Sequence, residues 1–157
     1  MAPEWYLPVK WIHIVSATLL FGTGLGTAFH FWFTCRGGVP AAVAASARAT
    51  VVADFAFTLP AAIVQPASGL VLARIAGYPP DAGWLLATYA LYALAGACWI
   101  PVVVIQSRLR DIAAARSRQA HDLGDEFRRL YRVWFWLGWP AFLAMVAILW
   151  LMVSRPA

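Results

Sequence analysis

The stretch WIHIVSATLLFGTGLGTAFHFWFTC, residues 11–35, contains no Asp, Glu, Lys or Arg. At about 1.5 Å of rise per residue, a helix of that length outruns the ~30 Å hydrocarbon core of a bilayer. Three more charge-free runs of comparable length follow, at 55–73, 82–107 and 133–154. Lipid offers no water to backbone N–H and C=O groups, so each run reads as a helix. None shows the alternation of a strand. The sequence therefore predicts an all-α, integral membrane, antiparallel four-helix bundle. It forms a single transmembrane domain over 1–157, with spans at about 11–35, 52–75, 82–107 and 133–154. Residues 37–47 are also uncharged, but that run is short and rich in Gly and Ala, and reads as a connector or surface helix.

Composition excludes the main rivals. Of 157 residues, 62% are hydrophobic and 12% charged, with mean hydropathy +0.70, against roughly 25% charge in an average soluble domain. So little charge excludes disorder. Two cysteines make no disulfide framework. Cys35 and Cys98 fall at the inner end of span one and inside span three, so free thiols are expected. The first span lacks a basic leading region and a small-residue cleavage site, and is expected to remain in the mature protein.

Charge placement gives the orientation. Connectors one and three carry Arg36, Arg48, Arg108, Arg110, Arg116, Arg118, Arg128, Arg129 and Arg132; the other side has Lys10, Arg74 and Arg155. Nine against three is a positive-inside bias. Both termini are expected outside, in the periplasm for a bacterial cytoplasmic (inner) membrane. The net charge of +5 then reflects topology and contact with the lipid bilayer, and no nucleic-acid partner is expected. Within the longest connector, Leu109, Ile112 and Ala113 continue span three as an amphipathic helix. His121-Asp122-Leu123-Gly124 ends it, and Asp125 and Glu126 suit the start of helix four.

Polar residues inside the spans are the candidate chemistry, because lipid gives them no partner. In span one, His13, Ser16, Leu20, Thr23, Thr27 and His30 recur at steps of three and four. Gly22 and Gly26 form a G-x-x-x-G that permits close helix contact. Span two has Asp54, Thr58, Ala61, Gln65, Ser68 and Leu72 at similar steps. Depth sorts the polar groups into an outer layer with Lys10, His13, Arg74, Trp84, Thr88 and Met152, and an inner layer with His30, Arg48, Asp54, Gln106, Arg132 and Trp136. Prolines 60, 66, 101 and 140 are read as helix kinks. Trp5, Trp11, Trp84, Trp134 and Trp150 are read as an interfacial belt.

His13 has two readings. An interior imidazole ligates haem iron, with Lys10 and Arg74 holding propionates and Met152 the same-layer thioether for a sixth ligand. Alternatively it bonds a backbone carbonyl or water at the interface. His30 and Asp54 form either a proton-carrying or quinone-contacting pair, or a helix–helix hydrogen bond that spares Asp54 burial alone. Gln65 and Ser68 are read as interhelical hydrogen bonds. The histidines at 13, 30 and 121 have no metal-ligand spacing, and no Ser/His/Asp set converges at one depth.

Four segments carry a resemblance: WYLPVKWIHIVSATLLFGTGLGTAFHFW (5–32), ADFAFTLPAAIVQPASGLVL (53–72), LYALAGACWIPVVVIQSRLRD (91–111) and FWLGWPAFLAMVAILWLM (135–152). Together they resemble a bacterial integral membrane family catalogued as domain of unknown function 2269, which implies a four-helix inner-membrane protein. A more distant likeness is to the four-helix, haem-b-type bacterial protoporphyrinogen oxidases. Lys10 to Ile14 is similar to their K-x-x-H-I opening, with His13 at the first-helix His. Thr58-Leu59-Pro60 matches a T-x-P, and Trp84 a third-helix Trp. Their essential Lys, a turn later, is replaced by Leu86-Ala87-Thr88. That likeness implies haem b at His13, while the absent Lys puts the oxidase activity in doubt. The expected function is thus a haem-b-binding or haem-associated redox protein with a membrane redox partner or homo-oligomer. The alternatives are an accessory membrane subunit, and a small transporter or proton pathway using His30, Asp54 and Gln65.

Overall fold

A computed structural model describes residues 3–155 and is helical throughout, apart from short connectors. After a single turn at Pro3–Trp5, α1 runs Tyr6–Gly37. Gly38 ends it in the left-handed region, at φ 68°, a conformation glycine adopts without strain. Pro40, whose fixed φ suits a first turn and whose missing N–H costs nothing there, opens α2, Pro40–Ala53. A π-helical turn, Asp54–Thr58, joins α2 to α3, Leu59–Ile75. Helix α4 is Gly83–Gln119 and α5 is Gly124–Ser154. Four helical rods, counting Pro40–Ile75 as one, are long and apolar enough to cross a membrane. Cys35 and Cys98 are free thiols.

The stretch at 37–47 is therefore helical from Pro40 on and continuous with the second span. Its residues Val43, Ser46 and Ala47 are buried, so from Pro40 on it is neither a connector nor a surface helix. The wide turn has a chemical cause. Pro60 offers no N–H to the carbonyl four residues back, and the Leu59 N–H bonds instead to Asp54 O, five residues back.

Helix α1 packs on α2 and α3, α2 on α4, and α4 on α5. Aromatic contacts close the ring between α5 and α1. Phe31 meets Trp134 edge-on at 5.0 Å and Tyr131 at 6.2 Å, and Phe21 stacks on Phe142 at 5.6 Å. The tightest core lies toward connectors one and three, where Phe31, Val43, Ala47, Leu109, Ala113, Phe127 and Trp134 cluster. Trp134 is buried at 5% exposure, so it belongs to this core and not to the interfacial belt. Trp5, Trp11 and Trp150 are exposed. The G-x-x-x-G expectation also needs correction, since a Cβ at Gly22 or Gly26 would meet nothing within 4 Å. Within this chain, that face makes no close helix contact.

Candidate functional site

Two polar clusters lie inside the bundle. The outer one joins α1 to α3 around His13. Ser68 Oγ donates to Val64 O at 2.7 Å, one turn back, in the manner of helical serines. Its oxygen is left to accept, so the 2.9 Å contact with His13 Nδ1 is an N–H donated by the ring. Nε2 is then the acceptor, and the Gln65 amide nitrogen donates to it at 3.2 Å. Ser16 Oγ donates to Gln65 Oε1 and lies 3.0 Å from His13 O. These directions together describe a neutral imidazole with its proton on Nδ1. Gly69 leaves room for the ring: a Cβ there would stand 3.1 Å from His13 Cε1. Gln65 and Ser68 thus make the interhelical hydrogen bonds expected of them.

The side-chain hydrogen bonds of the His13 ring among the described residues go to Ser68 and Gln65, and the other outer-layer residues make none to it. Lys10 is exposed, with its ammonium 5.6 Å from the Tyr6 ring centre. Arg74 is exposed, and Met152 is half-buried in the last turn of α5. Thr88 is buried and donates to Trp84 O at 2.8 Å, on its own helix.

The inner cluster centres on Asp54, 4% exposed. With the Gln106 amide oriented so that both its ends are satisfied, its nitrogen donates to Asp54 Oδ2 at 2.8 Å. The amide oxygen accepts from Trp134 Nε1 at 3.2 Å. Thr58 and Trp99 also stand against the carboxylate. Thr58 Oγ1 is the buried side-chain polar atom without a satisfied hydrogen bond among the described residues. The salt bridges among the described residues use Asp111, Asp122 and Asp125. Asp54 therefore sits among neutral side chains.

The expected His30–Asp54 pair is not formed. His30 Nδ1 lies 2.9 Å from Ser46 Oγ, and Ser46 is eight residues before Asp54, about 12 Å along a helix. The seam itself drifts. From 13 to 30, turns of about 100° per residue fall about 100° short of five revolutions. His13 is half-buried and His30 is exposed as a result. Gln106 falls in the inner layer as expected, but its pairing with Asp54 and Trp134 has no sequence signature. A signal for the stripe itself was present: Ser46, Thr50, Asp54 and Thr58 recur every four residues, and all are buried.

Among the described residues, no three His, Cys, Asp or Glu side chains group closely enough to hold a metal ion. The family model described as "Predicted integral membrane protein (DUF2269)" matches residues 7–156. No curated protein matches the chain, and no solved structure does.

Proposed function

The chain belongs to this family of predicted integral membrane proteins, and within it we propose a proton-handling role centred on Asp54. One observation carries the reading: a carboxyl group 4% exposed inside a membrane bundle, with Gln106, Thr58 and Trp99 as its neighbours. A buried acid held for structure alone is ordinarily compensated by a cation. Here the neighbours are neutral, so Asp54 can take up a proton at a carboxylate oxygen and return it without stranding a counter-ion. Thr50 and Ser46, one and two turns before it, are buried. His30 touches Ser46 at the end that the arginine distribution assigns to the cytoplasm, which gives the proton a side of entry. In the same topology both termini face the periplasm of a bacterial inner membrane.

The test is proton flux into proteoliposomes, with the carboxyl C=O band followed by infrared spectroscopy. Asp54→Asn should abolish both flux and band, while Asp81→Asn in the outer loop keeps them. A wild type that moves no protons and whose infrared band is unaffected by Asp54→Asn would remove the reading.

Haem b at His13 is the second reading, favoured by the tautomer. An Nδ1–H anchored on Ser68 presents Nε2, with its lone pair, as an iron ligand is presented. As arranged, Gln65 covers that nitrogen, and the residues around the ring do not fit a haem until Gln65 moves away. Protein from haem-replete cells would then show a Soret band that His13→Ala abolishes and His30→Ala preserves. A colourless preparation that takes up no added haem would exclude it.

A further inference from the structure

At the amino-terminal end of α5, three arginines are close in sequence but differ in their surroundings. Arg128 is held by acids: Nη2 lies 2.9 Å from Asp125 Oδ1, and Nη1 lies 3.6 Å from Asp122 Oδ2. Arg129 and Arg132 are exposed and form no salt bridge among the described residues. Three residues apart, they share one ridge of the helix. Two shallow depressions adjoin along that ridge, and Arg129 and Arg132 line both. The depression toward the connector contains Asp125, already neutralised by Arg128. The other runs over Val133, Trp136 and Leu137 into the charge-free run, and Trp136 is 68% exposed there.

We infer that Arg129 and Arg132, with Val133, Trp136 and Leu137 beneath them, bind the headgroup and one acyl chain of an anionic phospholipid. Two forked guanidinium groups suit the oxygens of a phosphodiester, which accept paired hydrogen bonds. Arg132 borders the apolar run, so both cations stand at headgroup depth, with the indole of Trp136 one turn further in. The apolar floor argues for a lipid over a free anion, because inorganic phosphate gains nothing from Val133 or Leu137. The site is separate from Asp54 and His13 and does not depend on either reading above.

Native mass spectrometry of the full chain, taken from vesicles of mixed phosphatidylglycerol and phosphatidylcholine, tests the assignment. The wild type should retain phosphatidylglycerol in preference to phosphatidylcholine. Each cation near an anionic membrane surface is worth about fivefold in binding, so Arg129→Gln with Arg132→Gln should weaken retention about thirtyfold. Arg110→Gln, an arginine paired with Asp111, should leave it unchanged. Equal weakening by Arg110→Gln would mean general surface charge and overturn the site. Equal retention of phosphatidylcholine, or displacement of phosphatidylglycerol by excess inorganic phosphate, would overturn the lipid assignment as well.

Discussion

The hydroxyl of Tyr92 donates to Ala62 O at 2.6 Å, replacing the backbone N–H that Pro66, four residues along α3, cannot supply. A side chain from α4 thereby completes the main chain of its neighbour at a depth where no water reaches it. Tyr92→Phe leaves that carbonyl unpaired at nearly constant volume. The expected cost is about 1–3 kcal/mol, read as a lowered melting temperature in detergent. Tyr89→Phe, one turn earlier on a more exposed position, should melt like the wild type.

Gly69→Ala drives a methyl group to 3.1 Å from an imidazole held at both nitrogens. The ring cannot retreat without breaking a hydrogen bond, so a loss of about 1 kcal/mol is expected. Gly138→Ala introduces the same methyl group into open space and should cost nothing. Melting curves of the two variants compare them directly.

Asp54→Ala should destabilise the fold by about 1–3 kcal/mol, because the Gln106 amide loses its acceptor in a buried site. Asp54→Asn keeps a side-chain oxygen there and should retain most of the stability. Asp81 is exposed, and Asp81→Ala should change stability by no more than about 0.5 kcal/mol. Chemical denaturation of all three in one detergent gives the order.

Orientation is testable by labelling in a background lacking Cys35 and Cys98. A thiol reagent that does not cross the membrane should modify Pro3→Cys and spare Ser117→Cys in intact cells. The reverse pattern would invert the bundle and move the His30 end to the outside.

The four spans were legible because charge is excluded from lipid so strongly that its gaps mark them directly. Inward-facing Asp54 and Ser16 were legible for the same reason, since a polar group in a span turns toward protein. Partners were not legible. Gln106 reaches Asp54 from a helix about fifty residues away, and only the relative depth and rotation of α2 and α4 decide that contact. His30 illustrates the limit from the other side: spacing of three and four put it on the seam of His13, but small angular errors accumulate over five turns. Pro40 was informative in retrospect, because a proline just after a glycine break suits the first turn of a helix. The uncharged run around it concealed that signal.

The π turn at Asp54–Thr58 also sets the rotational phase of the second span. Each α-helical residue advances the chain about 100°, and Ser46, Thr50, Asp54 and Thr58, spaced by four, creep steadily around an ideal helix. The widened turn absorbs part of that advance, which sets Thr58 and Gln65 back toward the face that Ser46 occupies. Inner and outer clusters can then share one interior along a single rod. Removing one residue from the turn, such as the exposed Ala56, would let the helix rewind regularly. Gln65 and Ser68 would keep facing His13, because the wide turn holds about one residue more than an α turn; the extra residue is what lets the polar stripe change its spacing without leaving the interior.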